Sequence, residues 1–268
     1  MIAGRTPGRG TGPIPSLRLD TRPRTMIPIT IHPMPNDPSR NRKALDPRDQ
    51  PAYSVIEAAR YVKLPVATLR SWVAGRPYPR ASGVAHFQPL IRPPLRMPPV
   101  LSFWNLVEVH VLRALRTEHG VSLGDMRRAI AYAEGHLRVE RLLLSRQLCT
   151  EAGQVFLDQY GKLIDLSASG QIAMRKMFQE HLKRVEWGDL QFPIRLYPFL
   201  SADSESTARP IAIDPHIAFG RPILVRKGVS TRAIVDRIDA GEKVPELAID
   251  YDLDPREIEE AIWYERAA

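Results

Sequence analysis

The chain has 268 residues, 44% of them hydrophobic, and a formal net charge of +8 at pH 7. This length supports two or three small hydrophobic cores, and no apolar stretch of the sequence approaches the length that spans a bilayer. A single cysteine excludes an intramolecular disulfide and a zinc site built from thiolates alone. We therefore expect a protein of the reducing cytoplasm with no membrane partner.

The positive charge is concentrated in one part of the chain. Residues 51–116 carry nine basic and two acidic residues, a net charge of +7, whereas residues 209–268 carry nine basic and twelve acidic residues, a net charge of −3. A basic block confined to one segment is typical of nucleic-acid binding, because cations that neutralise phosphates release condensed counterions. The acidic C-terminal segment is left for a different kind of partner.

Residues 1–50 are rich in proline and arginine, and hydrophobic residues do not recur there at a regular spacing. Such a segment buries too little apolar surface to offset the conformational entropy that folding removes. We predict a disordered tail over residues 1–50.

Residues 53–75 read YSVIEAARYVKLPVATLRSWVAG and predict two short helices joined by a tight turn. Ser54 and Glu57 have the spacing of a capping box for the first helix. Gly75 permits a left-handed end to the second helix. Two short helices with a tight turn between them are typical of a helix-turn-helix.

The second of these helices is expected to present a polar and basic face to DNA. Leu69, Trp72 and Val73 recur at helical spacing and predict the opposite, core-facing side. A recognition helix in a major groove needs short polar residues and arginines, because these reach phosphates and base edges without steric conflict. The residues predicted to contact DNA, including those after the helix, are Thr68, Arg70, Ser71, Arg76, Arg80, Arg92 and Arg96.

The segment after the second helix is dense in proline and arginine. Short strands from Phe87 to Ile91 and from Val100 to Ser102 are predicted to frame Arg92 and Arg96, and their prolines confine them to sheet edges. Two further helices are predicted to begin near Ser102 and Ser122. This order over residues 52–137 resembles the DNA-binding domain of the MerR family.

The MerR resemblance implies a winged helix-turn-helix over residues 51–138 that binds operator DNA. A short recognition helix reads too few base pairs by itself, so a homodimer is expected.

Residues 139–200 predict a middle α+β unit. A β-hairpin is predicted from residues 155–158 and 162–166, followed by a helix over residues 170–185 and a strand over residues 192–197. The polar residues 201–208 predict a linker. The sequence assigns no activity to the middle unit.

The C-terminal segment, residues 209–268, predicts a three-helix module with a β-hairpin. The hairpin strands are predicted at residues 211–213 and 223–225, and the helices begin near Ser230, Pro245 and Asp254. The predicted fold of the whole chain is therefore mostly α with small β elements.

The C-terminal segment also resembles a known family. The motifs IDP, FGRPIL, AGE and YDLDPREIEEAIWY resemble the small family called domain of unknown function 433. The combination with a MerR-like N-terminal part resembles VapB-type antitoxins. This resemblance implies a type II toxin-antitoxin system in which the chain represses its own operon and neutralises a PIN-type ribonuclease toxin encoded by the neighbouring gene. Arg226 and Lys227 are predicted to bind the toxin, since a pair of cations suits the acidic cleft that the resemblance implies.

No catalytic pattern is found in the sequence. The histidines are scattered without ligand spacing, and the acids of the last helix mostly share one helix face, so no enzyme, metal or cofactor is predicted. Two alternatives to an antitoxin remain. One is a MerR-like regulator without a toxin, whose middle unit senses a ligand, and the other is a protein-interaction adaptor that does not touch DNA.

Overall fold

Helices alternate with short antiparallel strands along the chain, so the fold is mixed α/β. The computed structural model describes residues 46–80, 83–116, 123–149, 151–163, 168–189, 191–199 and 209–267. The predicted linker at residues 201–208 and most of the predicted tail lie outside these ranges. Residues 46–50 of that tail were predicted to be disordered, which is wrong: Pro47–Asp49 is a 3₁₀ helix, and the Asp49 carboxylate lies 3.2 Å from the Arg141 guanidinium.

The first two helices have the bounds that their capping residues predict. α1 spans Val55–Tyr61 and α2 spans Val66–Ala74. Ser54 and Glu57 form the predicted capping box, with N···O distances of 3.0 and 3.2 Å. Gly75 ends α2 with a φ of 72°, a value that glycine adopts without steric cost.

The hairpin after α2 is not the one predicted. β2 (Arg76–Arg80) pairs with β3 (Gly83–Phe87), whereas the predicted strand from Phe87 to Ile91 is wrong beyond its first residue. The Leu90 and Ile91 amides instead donate to the Trp72 carbonyl, at 2.8 and 3.1 Å. In a two-stranded ribbon both strands are edges, so the prolines at alternate positions of β2 are tolerated.

A second small sheet anchors the chain before α1. Its order is β1 (Tyr53–Ser54), β5 (Pro99–Leu101) and β4 (Leu95–Arg96), all antiparallel. The second predicted strand, from Val100 to Ser102, is therefore confirmed in part. The sheet fixes the entry of α1 because Tyr53 pairs with Leu101.

Helix α3 (Phe103–Arg116) lies at the centre of the larger core. Ser102 and Asn105 cap its start reciprocally, with the Ser102 amide donating to Asn105 Oδ1 at 3.1 Å. The side chains of Leu106, Val109 and Leu112 are fully buried. α4 (Leu123–Leu137) adds Met126, Ala129 and Ala133 to the same core.

The predicted hairpin at residues 155–158 and 162–166 is wrong. Residues Glu151–Leu163 form one helix, α5. Gly161 lies between the two predicted strands, but the buried positions Gly153, Phe156, Leu157 and Gly161 have helical spacing. Packing of α5 against α4 outweighs the low helix propensity of its two glycines.

The next elements join the middle of the chain to its C-terminal part. The predicted helix and strand are confirmed as α6 (Ala168–Leu182) and β7 (Pro193–Leu196), with β6 (Val185–Trp187) between them. A five-stranded antiparallel sheet has the order β10-β9-β8-β7-β6. It includes β8 (Ile211–Ile213), β9 (Pro222–Leu224) and β10 (Val229–Ser230), so the predicted pairing of residues 211–213 with 223–225 is confirmed within one residue.

Three helices complete the C-terminal module as predicted: α7 (Thr231–Asp239), α8 (Val244–Tyr251) and α9 (Pro255–Arg266). Asp254 and Glu257 form a capping box at the start of α9. A second hydrophobic core lies between these helices and β8 and β9, with Ile234, Leu247 and Ile258 fully buried. The predicted domain boundaries stay predictions, because a shared sheet does not show which parts fold independently.

Candidate DNA-binding and partner-binding surfaces

Helix α2 presents one exposed arginine opposite its buried face. Leu69 and Trp72 are fully buried, whereas Arg70 between them on the helix is exposed and makes no ion pair with a described residue. Thr68 and Ser71 are half-buried, and the Ser71 hydroxyl donates to the Thr68 carbonyl at 2.7 Å. Of the three predicted contacts on α2, Arg70 is therefore the one free to reach phosphate or a base edge.

The other arginines predicted to bind DNA lie in two different places. Arg76 and Arg80 are the first and last residues of β2, directly after α2, and their side chains lie outside the described part of the structure. Arg92 lies in the connection to β4, and Arg96 lies on β4 itself. Both side chains are exposed. Arg96 pairs with Pro99 of β5, so the structure places Arg92 and Arg96 outside the β2–β3 hairpin that follows α2.

Arg226 and Lys227, the residues predicted to bind the toxin, make ion pairs within their own module. The Arg226 guanidinium donates to the Asp252 carbonyl and lies 3.3 Å from the Glu257 carboxylate. Lys227 Nζ lies 2.6 Å from the Asp252 carboxylate and lowers its pKa. Asp252 ends α8 with a left-handed φ of 51°, so the two cations stabilise a strained helix end.

The C-terminal module exposes several large apolar side chains, and two of them lie on its helices; none was among the predicted sites. Trp263 on α9 is 61% exposed and Ile249 on α8 is 81% exposed. Ile258 and Ala261 set the inward phase of α9, so the position of Trp263 two residues later could have been read as outward. Exposed tryptophan is enriched at protein interfaces, where it is a frequent hot spot.

The helix pair and the C-terminal module share a buried interface. The Tyr53 hydroxyl donates to the Gly220 carbonyl at 2.9 Å, and the Tyr264 hydroxyl donates to the Tyr61 carbonyl at 2.9 Å. Lys63, in the turn between α1 and α2, donates to the Tyr264 carbonyl and lies 4.0 Å from its ring centroid. These contacts tie α9 to the turn that orients α2.

Charged groups surround this interface. Arg221 donates to Glu57 of the α1 capping box and, at 3.1 Å, to the Tyr61 hydroxyl. Burial lowers the pKa of the Lys63 ammonium to about 8 and raises the pKa of Tyr264. Removing an ammonium from water is unfavourable unless it is well coordinated. The contacts of Lys63 with Tyr264 therefore offset the desolvation of the ammonium.

Neither a metal cluster nor a membrane helix is found in the described residues. No group of three or more His, Cys, Asp or Glu side chains in that part of the chain is arranged to hold a metal ion. Likewise, none of the described helices combines the length and the apolar character needed to cross a bilayer.

Of the comparisons with known proteins, one matches the C-terminal module and two match most of the chain. The family model described as "Protein of unknown function (DUF433)" matches residues 211–264, which contain the second hydrophobic core. A protein of Mycobacterium tuberculosis named "Putative antitoxin VapB45" is 25% identical over 232 residues, covering 80% of this chain and 93% of that protein. The crystal structure of Rv2018 from Mycobacterium tuberculosis has a TM-score of 0.57 and 21% identity, covering 80% of this chain and 98% of that one.

Proposed function

We propose that the chain is the antitoxin of a type II toxin-antitoxin system, acting in the cytoplasm as a regulator rather than an enzyme. The observation that carries this proposal is the similarity to the VapB45 antitoxin, which extends over 80% of this chain and 93% of that protein. Similarity of that extent includes the N-terminal helices as well as the C-terminal module. The proposed function therefore assigns a role to the N-terminal helices and a role to the C-terminal module.

The N-terminal part would bind operator DNA. α2 offers the exposed Arg70, and the β2–β3 hairpin follows it directly, which is the order of elements in a winged helix-turn-helix. The net charge of +7 over residues 51–116 supports phosphate contacts. A homodimer would place two such helices on successive major-groove half-sites.

The C-terminal part would bind a PIN-type ribonuclease toxin. Trp263 and Ile249 supply apolar contacts there, while Arg226 and Lys227 supply charge that a partner can share with Asp252 and Glu257. Because surface ion pairs contribute little by themselves, we assign the larger part of the binding free energy to Trp263.

The proposal is tested by co-expressing the full chain with the short gene next to its own. We expect growth to be arrested by the neighbouring gene alone and restored by the wild-type chain. Trp263→Ala should weaken rescue, with a loss of about 2 kcal/mol or more in toxin binding by titration calorimetry. The matched control is Tyr132→Ala, an exposed aromatic on α4 outside the module.

Two results would contradict the proposal. One is a neighbouring gene that does not arrest growth, and the other is equal rescue by a chain that carries Trp263→Ala, Arg226→Gln and Lys227→Gln together. The fold of each variant is checked by circular dichroism, so that loss of rescue is not confused with unfolding.

A further inference from the structure

A cleft of about 420 Å³ opens between α5, α6, β6 and the 3₁₀ helix Arg146–Cys149. None of its described lining residues belongs to α2 or α9. Clefts of about 300–1,000 Å³ with a mostly apolar lining are typical of sites for small organic molecules. The apolar side chains that line it are Leu148, Leu157, Phe178, Leu182, Val185 and Trp187.

One wall of the cleft is set by a close backbone contact. α5 approaches the 3₁₀ helix so closely that a side chain at position 153 would overlap the Leu148 carbonyl, and the chain has Gly153 there. This contact fixes the distance between Leu148 and Leu157 on the two sides of the cleft. Cys149 follows Leu148 directly, is an exposed residue and also lines the cleft.

Among the described side chains that line the cleft, the charged ones are all cationic. They are Arg146, Arg175 and Lys183. Asp158 and Glu180 bind Arg175 and Lys183 from outside the lining, at 2.5 and 2.7 Å. The Arg146 guanidinium makes no ion pair with a described residue, so the mouth of an apolar cleft carries unbalanced positive charge.

Arg175 also has an unused donor. Its Nη2 donates to Asp158, but its Nε is buried and has no hydrogen-bond partner among the described residues. A buried donor left without an acceptor is unfavourable. The Arg175 side chain lines the cleft, so a carboxylate placed there can share the guanidinium with Asp158.

We propose that this cleft binds a small apolar monocarboxylate, with the hydrocarbon body on the apolar floor and the carboxylate between Arg175 and Arg146. The six apolar side chains of the lining favour a ligand whose larger part is hydrocarbon. A neutral molecule would leave the positive charge of Arg146 without a counter-ion in the cleft.

Cys149 reports on occupancy, because it is the only cysteine in the sequence and lines the cleft. The rate at which maleimide labels the full-length chain is measured with increasing octanoate or 1-naphthoate. Octanol and octylamine serve as matched neutral and cationic compounds. We expect an acid to slow labelling at concentrations where octanol and octylamine do not, and the two acids distinguish a flexible alkyl body from a flat aromatic one.

Charge variants test the proposed contacts. Arg146→Gln combined with Arg175→Gln should raise the concentration of acid needed for half-protection at least about tenfold, since each removes a charge-assisted contact. Lys162→Gln, an exposed change on α5 outside the lining, should leave it unchanged. The proposal is overturned if neither acid protects Cys149, if octanol protects equally well, or if the double variant behaves like Lys162→Gln.

Discussion

Arg70 is the exposed cation of α2, between two fully buried residues that fix the rotation of the helix. If α2 enters a major groove, Arg70→Ala should weaken operator binding by about 1–3 kcal/mol where the arginine reads a base. A mobility-shift titration with operator and random DNA measures this. Arg128→Ala on α4, also an exposed arginine, is the control, and equal binding by wild type and Arg70→Ala would contradict the assignment.

Gly220 is a second residue with a specific role, because its position requires glycine. Its φ is +72°, and an added Cβ would overlap the Tyr53 hydroxyl. Gly220→Ala should lower the free energy of unfolding by about 2–4 kcal/mol, from left-handed strain and from the steric conflict. Gly241 also has a positive φ, +99°, but nothing lies within 4 Å of its would-be Cβ, so Gly241→Ala measures the strain alone.

A double-mutant cycle separates the two contributions at Gly220. In a Tyr53→Phe background the conflicting hydroxyl is absent, so Gly220→Ala should cost less than in wild type. Urea unfolding gives the four free energies. An equal cost in both backgrounds would show that Tyr53 does not limit this position.

At the scale of elements, a buried histidine pair joins α3 to the end of α6. The His110 Nε2–H donates to the His181 carbonyl at 3.0 Å, and the His181 Nδ1–H donates to the Met177 carbonyl at 3.1 Å. Burial lowers the pKa of His181 from 6.5 to about 4 and lowers the pKa of His110 as well. Both imidazoles are therefore neutral in the folded protein near pH 7.

This pair predicts loss of stability in acid. Between pH 6.5 and pH 4 the unfolded chain binds more protons than the folded one, so the free energy of unfolding falls as the pH falls. The His181 contribution is about 3 kcal/mol at most. Urea unfolding from pH 4 to pH 7 should show a shallower pH slope for His181→Gln than for wild type. The exposed His216 gives the control His216→Gln, and unchanged slopes for both variants would contradict the prediction.

The sequence predicts best those helices whose start is marked by residues within a single helical turn. Ser54 with Glu57 and Asp254 with Glu257 mark helix starts because each capping box is local. α5 was missed because its two glycines are tolerated through packing against α4. The β2–β3 hairpin was missed because its prolines are tolerated only where both strands are edges. The outward position of Trp263 follows from helix phase, whereas the cleft depends on the approach of α5 to a 3₁₀ helix, which no local pattern encodes.

At the scale of the whole molecule, the C-terminal module completes the packing of the N-terminal helices. Removing residues 209–268 deletes the β8 partner of β7 and uncovers Tyr53 and Tyr61, which are 1% and 2% exposed in the full chain. We expect the fragment 1–208 to melt at least about 10 °C lower, since 1 kcal/mol corresponds to about 2–4 °C for a chain of this size. A fragment of residues 46–268 keeps every described residue and is the control. Equal melting of fragment 1–208 and the full chain would contradict the prediction.

The contact between Tyr61 and Tyr264 spans 203 positions of sequence, and that between Tyr53 and Gly220 spans 167. During synthesis the helix pair leaves the ribosome long before its partners in α9 exist, and contacts of such separation form late in folding. A ribosome that stops early therefore releases a chain in which the turn before α2 is unsupported. The support of this turn by Tyr264 therefore becomes available only after α9 has been synthesised.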